Sequence, residues 1–250
     1  MNKFLLPLHQ IKKALQCSLI FDTERQLGNF SAEAQSSHLD YLNKEEVSRS
    51  YVLNYPDDNL KFLDVGARDG SLKYLLGTTH NLEFNESFYQ TNKRKFSSKY
   101  SYFGCDLNPC NNEKVLTGDV CSPDFLADKA SFLDFFDVIY SNNVFEHLHR
   151  PWMTCQHIYR MLKTGGICIT IVPFSQRYHE VPGDYFRYTH AAIPRLFEDC
   201  GTVEVLATGY DILGRRNNWQ GSGKNNDLVP VDRFGAWRET WFTISVIKKL

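Results

Sequence analysis

Three acidic residues stand where short apolar runs stop. Leu60–Gly66 (LKFLDVG) carries Asp64 just before a glycine, Tyr100–Leu107 (YSYFGCDL) carries Asp106, and Lys114–Val120 (KVLTGDV) carries Asp119. In an open α/β sheet, ligands bind beyond the carboxyl ends of the strands. A carboxylate there can accept two hydrogen bonds from a ribose diol, and charged acceptors bind more strongly than neutral ones. An acid on the next strand can accept from an adenine amino group. Gly66 allows a tight turn and Gly70 opens the next helix, giving G-x-x-x-G. A dinucleotide pyrophosphate would need a glycine at position 68, where Arg68 stands. A single acid at a strand end often only caps the loop that follows. Three on consecutive strands at one sheet edge form a much more specific pattern.

A second group of reactive side chains follows two later strands. Glu146 and His147 come just after Phe136–Asn142 (FDVIYSN). Arg177, Tyr178, His179, Glu180, Asp184, Tyr185, Arg187 and Tyr188 come just after Ile167–Pro173 (ICITIVP). Loops on a rigid scaffold are where binding residues gather. A histidine titrating near neutrality suits a general base that takes a proton from a hydroxyl. His147 and His179 are the candidates. His179 is preferred, because Glu180, Asp184, Tyr185 and Arg187 surround it and can orient both base and substrate. Arg177, Arg187, Arg215 and Arg216 suit a small anionic substrate, such as a phosphorylated or nucleotide-linked sugar. The competing structural account pairs Asp184 with Arg187 and leaves the other arginines solvated. His80, His149, His157 and His190 read as surface or packing residues. No metal site is expected: the seven cysteines include no C-x-x-C pair, and Cys105 and Cys110 have no partner pair nearby.

The elements that must position these groups can be read from periodicity. Ile11, Leu15, Leu19 and Ile20, then Leu39, Leu42 and Val47, repeat at helical spacing on either side of Gly28-Asn29. Residues 1–55 therefore read as a helical N-terminal extension, and 56–250 as the main domain. From Leu60 onward short apolar runs alternate with helical segments. Ser71–Leu76 reads as a helix. Another starts at Pro151, with Trp152, Cys155, Tyr159 and Leu162 on its apolar face and Gly165 at its C-cap. A third is AAIPRLFEDCG. Val203–Tyr210 and Trp241–Lys249 complete the strands, the last alternating like an antiparallel one. This order predicts a three-layer α/β sandwich, Rossmann-like, with a seven-stranded, mostly parallel sheet and an antiparallel last strand. Residues 79–99 and 211–239 resist the pattern and read as insertions. Long insertions in a compact domain are commonly functional loops, and 211–239 is expected to be a flap near the acceptor pocket.

Together these motifs resemble the class I S-adenosylmethionine (SAM)-dependent methyltransferases. The resemblance runs from about Leu60 to Gly201 and rests on FLDVGARDGSL, YFGCDLNP, VLTGDV, FDVIYSNNVFEHL and YRMLKTGGICITIVPF. It implies SAM as cofactor and S-adenosylhomocysteine as product. Carried over position by position, it places Asp64, Gly66, Ala67 and Gly70 at the first turn, around the methionine part. It places Asp106 and Leu107 at the ribose, Asp119 and Val120 at the adenine, and Asn142 and Asn143 at the methionine end. Two departures stand out. Arg68 replaces the family's middle glycine, and Asp106 lies 40 residues past Gly66, which leaves Glu83 and Glu86 as rival ribose acids. The loop after the fifth strand resembles that of small-molecule and glycan-modifying members. The implied reaction is O-methylation of such an acceptor.

Composition narrows the alternatives. Net charge is −1, from 28 basic and 29 acidic residues, so there is no bulk basic field for gripping nucleic acid. The Asn/Asp-Pro-Pro-aromatic tetrad of base-methylating enzymes is replaced by Ser141-Asn142-Asn143-Val144, so DNA is not the expected acceptor. No apolar run is long enough to span a bilayer. The apolar stretch Phe4–Leu8 is too short for a secretory leader. Free thiols fit a reducing cytosol, so a cytoplasmic enzyme is expected. Two other functions remain open on the sequence: a nicotinamide oxidoreductase, and an inactive methyltransferase fold serving as a binding subunit.

Overall fold

The computed structural model describes residues 40–41, 43–67, 70–79, 84–108, 114–176, 178–179, 182–214, 216–217, 221–222 and 240–250. The chain divides into two compact units, Met1–Asp40 and Tyr41–Leu250. The helical repeat expected at Ile11–Ile20, and Leu39 and Leu42, lie outside the described residues; Val47 lies on the first described helix.

The main unit runs α1 (Lys44–Leu53), β1 (Leu60–Val65), α2 (Lys73–Gly77), α3 (Glu86–Lys99), β2 (Tyr100–Asp106) and β3 (Val115–Thr117). It continues with β4 (Phe136–Asn142), α4 (Pro151–Met161), β5 (Leu162–Ser175), α5 (Ala192–Glu198), β6 (Val203–Gly214) and β7 (Thr240–Lys249). These seven strands are contiguous in one sheet, in the order β3-β2-β1-β4-β5-β7-β6. The pairs from β3 to β5 are parallel, and β7 runs antiparallel to both β5 and β6. The chain moves outward from β1 to β3 and then returns to β4 on the other side of β1. That reversal makes the carboxyl ends of β1 and β4 the switch point at which such sheets bind ligands.

The strand period of two explains why the strands read as continuous apolar runs. Val138 and Tyr140 of β4, with Ile167, Ile169 and Ile171 of β5, face the core that α1, α2 and α3 cover through Val52, Leu75, Leu76, Tyr89 and Phe96. Ile139 of β4, with Cys168 and Val172 of β5, faces the opposite core, which α4 and α5 cover through Cys155, Ile158, Met161, Ile193 and Phe197. A strand buried on both faces has no polar side to show. Phe62 anchors the first core, edge-on to Phe96 at 5.0 Å between ring centroids. At the opposite strand ends Asp137 joins three strands: it accepts from the Lys61 backbone N–H at 2.7 Å and from Lys163 Nζ at 2.7 Å.

Three expectations are corrected. Residues 86–99 of the first supposed insertion form helix α3, the ordinary crossover between β1 and β2. Asn85 caps it by accepting from the Phe88 N–H at 2.9 Å. Its buried side is only Tyr89, Asn92 and Phe96, too sparse a stripe to stand out in the sequence. Helix α4 ends at Met161, not at a Gly165 cap: Leu162 already pairs with Phe136 as the first residue of β5. Lys249 Nζ donates to the helix-end carbonyls of Tyr159 and Leu162 at 3.0 and 2.7 Å, doing what a glycine cap would do. The buried face of α4 is Thr154, Cys155, His157, Ile158 and Met161, while Trp152 is exposed. In the second supposed insertion, β6 continues to Gly214. Two-residue strands follow at Arg216–Asn217 and Gly221–Ser222. The proposed flap beyond them lies outside the described residues.

Candidate functional site

The first half of the site is built from backbone. Past β1 the chain turns at Gly66, with φ +80°. A side chain there would be strained in the left-handed region and would also run into Val144, just past β4. The Gly66 and Ala67 N–H groups both donate to the Cys105 carbonyl of β2, at 2.8 and 3.1 Å, which pins the turn over the sheet edge. Gly104 makes this approach possible: a Cβ there would lie 2.9 Å from the Ala67 Cβ. Gly70 closes the turn at φ +63°. Below it the buried Asp64 carboxylate accepts from the Tyr102 hydroxyl at 3.1 Å. Arg68 and Asp69 lie outside the described residues.

Asp106 ends β2 and Asp119 follows β3 by two residues, with Asp106 in register with Thr117. One Asp106 oxygen accepts from the Asn108 N–H at 3.0 Å, and Leu107 is exposed beside it. One Asp119 oxygen accepts from the Cys121 N–H at 2.8 Å and closes a turn. Val120 is buried, and its carbonyl takes His157 Nδ1 at 2.9 Å, so His157 is a packing histidine. Glu86, one of the two rivals of Asp106, opens helix α3 and accepts from Gln90; Glu83 lies outside the described residues.

At the end of β4 three polar side-chain atoms find no partner among the described residues. The side-chain Oδ1 atoms of Asn142 and Asn143 and the Ser141 hydroxyl oxygen are buried without hydrogen bonds. Asn143 also sits at φ +54°, held by its N–H on the Ile171 carbonyl at 2.9 Å. Buried polar atoms are nearly always satisfied. Orphans beside the glycine turn fit a polar ligand bound across the β1–β4 switch point.

The second half is built from side chains on two loops. The loop after β5 folds back on the one after β4. The Tyr185 N–H donates to the Glu146 carbonyl at 2.7 Å, the Tyr188 hydroxyl to the Phe145 carbonyl at 2.9 Å, and the Tyr188 N–H to the Pro173 carbonyl at 3.0 Å. This brings His179 beside His147, with ring centroids 5.0 Å apart and planes nearly perpendicular. Both rings turn Nε2 toward one atom, Glu146 Oε1, at 3.7 Å from His147 and 3.9 Å from His179. Glu146 is fully buried, and among the described residues neither of its carboxylate oxygens accepts a hydrogen bond from another residue. Burial pushes its carboxyl up to about 7, against the opposing pull of its own backbone N–H and then of the nearby Arg187 cation.

The outer sides of both rings are also held. His147 Nδ1 bonds the Gly183 carbonyl. His179 Nδ1 lies 3.5 Å from Asp184 Oδ2, the same oxygen that accepts the His179 backbone N–H at 2.8 Å. The Asp184–Arg187 pair of the competing structural account forms. Arg187 forks onto both Asp184 oxygens, one at 2.7 Å, and donates to the Gln176 and Phe186 carbonyls. Its hydrogen bonds hold the Asp184 carboxyl down at about 2. Both groups are thus committed to shaping the loop around His179. Tyr178 and Tyr185 are exposed at the loop surface. Arg177, Glu180, Arg215 and the Arg216 side chain lie outside the described residues. Sequence reasoning assigned no role to Glu146, the centre of the cluster; the signal was an acid directly beside a candidate base, just past a buried strand.

A family model described as a methyltransferase domain matches residues 36–201. A search of curated proteins finds no match. Among solved structures, a candidate methyltransferase from Bacillus halodurans is 11% identical, with TM-score 0.50, covering 80% of this chain and 98% of that one. A SAM-dependent methyltransferase from Aquifex aeolicus is 14% identical, with TM-score 0.46, covering 83% and 90%. The 1,6-didemethyltoxoflavin-N1-methyltransferase of Burkholderia thailandensis, whose structure contains its substrate and S-adenosylhomocysteine, is 12% identical, with TM-score 0.48, covering 97% and 90%. With the β1 glycine turn, the strand-end acids and the antiparallel β7 in place, this chain belongs to the methyltransferase-domain family and is a class I SAM-dependent methyltransferase.

Proposed function

We propose that this enzyme transfers the methyl group of SAM to a hydroxyl on a small-molecule or sugar-type acceptor, phosphorylated acceptors included. The observation that carries this reading is the convergence of His147 and His179 on the buried Glu146, beside the β4 end. An amine acceptor that is already neutral needs only alignment, whereas a hydroxyl must lose a proton, and a histidine cluster answers that need. The sulfonium of SAM supplies an activated methyl group, so the enzyme's main task is to align the acceptor oxygen in line with it. In the transfer the oxygen–carbon bond forms as the sulfur–carbon bond breaks.

In this reading the Gly66–Ala67–Gly70 turn, with Asp64 beneath it, cradles the methionine part. Asp106 and Leu107 hold the ribose, and Asp119 and Val120 face the adenine. The orphaned Asn142 and Asn143 oxygens support placing the methionine amino group at the β4 end. His147 and His179 activate the acceptor hydroxyl. Asp184 and Arg187 position His179, while Tyr178, Tyr185 and the loop residues Arg177, Glu180, Arg215 and Arg216 supply the acceptor's contacts. Five described cysteines are free thiols, which supports action in a reducing compartment such as the cytoplasm. Among the described residues no helix is long and apolar enough to cross a membrane.

The test is a panel of hydroxyl and amine acceptors incubated with SAM, with products read by mass spectrometry. A +14 Da product on hydroxyl acceptors, lost in His179→Ala while SAM affinity by calorimetry is kept, is expected. Products on amines alone, or SAM binding with no product on any acceptor, would overturn the reading.

A further inference from the structure

We infer that Glu146, His147 and His179 form a binding site for a single divalent transition-metal cation. One ligand atom from each residue lies within 4.8 Å of the others. The argument starts from the lone pairs. His147 Nδ1 can bond the Gly183 carbonyl only as a donor, which leaves Nε2 as the basic nitrogen. That nitrogen faces Glu146 Oε1, and His179 Nε2 faces the same oxygen. At 3.7 and 3.9 Å these are not hydrogen bonds. With His179 Nδ1 turned to the Asp184 carboxylate, its Nε2 is the basic nitrogen as well, so three lone-pair atoms face one another, an arrangement that a cation among them satisfies. A cation with bonds of about 2.0–2.2 Å to nitrogen and oxygen sets such ligands roughly 3.4 Å apart across a tetrahedral angle. The two nitrogen–oxygen spacings are a few tenths of an ångström wider, the two imidazole nitrogens lie within 4.8 Å of each other, and rotation of the partly exposed His179 ring closes the triangle.

The surroundings support the same conclusion. Histidine ligands characteristically give their other ring nitrogen to a carbonyl or carboxylate. Here Gly183 and Asp184 stand in those two positions, and Asp184 is itself fixed by Arg187. The donor set, two imidazoles and one carboxylate, suits Zn²⁺ or Fe²⁺ in a site that keeps positions open, and it disfavours Mg²⁺ or Ca²⁺. His179 is about a third exposed on its side chain, so the open positions face the solvent side of the loop.

This site deepens the proposed reaction and rests on it only for what fills the open position. There the acceptor's hydroxyl oxygen would bind the cation, its O–H bond breaking and its proton passing to solvent water. The resulting oxyanion then attacks the methyl carbon. A bound cation lowers the proton affinity of an oxygen ligand by many orders of magnitude. His179 then acts as a ligand, not as the free base the sequence suggests.

The experiment uses full-length protein stripped with a chelator and titrated with Zn²⁺, with bound metal counted by elemental analysis. One equivalent per chain is expected. Glu146→Gln, His147→Ala and His179→Ala should each weaken binding by more than the ~10–100-fold typical of outer-shell changes. Cys200→Ser, a change at a partly buried thiol just past the end of α5, should leave binding unaltered. SAM affinity, measured on every variant, confirms that each is folded. Should Glu146→Gln fail to fold, the Co²⁺ absorption spectrum of the unmodified protein decides: visible bands of a four- or five-coordinate imidazole–carboxylate site are expected, and only the spectrum of hydrated cobalt would overturn the site. Zn²⁺ binding that survives Glu146→Gln and His179→Ala would also overturn it. Methyl transfer that persists in fully stripped protein would remove the cation's role in the reaction, whatever the titration shows. Metal binding without product on any acceptor would instead defeat the proposed reaction and leave the site standing.

Discussion

The two ends of the candidate site are made of different material. Past β1, β2 and β3 the groups are backbone turns and acids, each held by a residue close in sequence or on the neighbouring strand. Gly66 leans on Cys105, Asp106 takes the Asn108 N–H, and Asp119 takes the Cys121 N–H. Past β4 and β5 the groups are side chains 32 residues apart in sequence, Glu146–His147 and His179, which meet only because two loops are laced together. The first end is shaped by backbone turns with their polar groups locally satisfied. The second concentrates uncompensated electron pairs around a buried carboxylate.

The comparison can be broken most severely at Gly66. Gly66→Ala should cost roughly 2–5 kcal/mol: about 1–2 for an alanine in the left-handed region, and about 1–3 for overpacking against Val144. Thermal denaturation and SAM titration should both register it. A variant of unchanged stability and affinity would show that the turn does not depend on its close approach to β4.

At the other end His179→Ala should lower turnover by at least ~10²-fold, about 2.7 kcal/mol of transition-state stabilisation, with SAM affinity nearly unchanged. Turnover is followed by product formation at saturating SAM. If His179→Ala stays near normal while His147→Ala is inactive, the roles of the two rings are exchanged.

Arg187→Met tests whether the second end owes its shape to the Asp184 pair. Leaving a buried carboxylate unpaired costs ~3–5 kcal/mol in a fully buried pair. A guanidinium still about a quarter in water brings the expectation down to about 2–3 kcal/mol. Chemical denaturation should show this loss, and turnover should fall further than stability explains, because His179 loses its support.

The mildest change is Asp106→Ala. It should weaken SAM and S-adenosylhomocysteine by roughly 1.5–3 kcal/mol, the scale of charge-assisted hydrogen bonds, with little effect on folding. Calorimetry that shows unchanged affinity would move the ribose contact to another residue.

The sequence by itself determined the strands, their order of alternation and the antiparallel finish. A strand buried on both faces reads as a near-continuous apolar run, and the shortness and β-branched residues of ICITIVP and FDVIYSN mark them as strands. It also determined the Gly66 turn, because only glycine suits that backbone. The crossover helix α3 escaped it, since Tyr89, Asn92 and Phe96 are the only buried residues in fourteen and the polar remainder looks like a loop. The end of α4 escaped it too: the cap is Lys249, from the last strand, 90 residues beyond the Tyr159 carbonyl it takes. What tertiary structure alone decided is the meaning of Glu146. In the sequence it is an ordinary acid beside a histidine. The parallel pairing of β4 with β5 and the return of the Gly183–Tyr188 loop bury it, strip it of partners and aim two imidazoles at one of its oxygens. Burial and convergence belong to the packing of distant segments, and no local pattern encodes them.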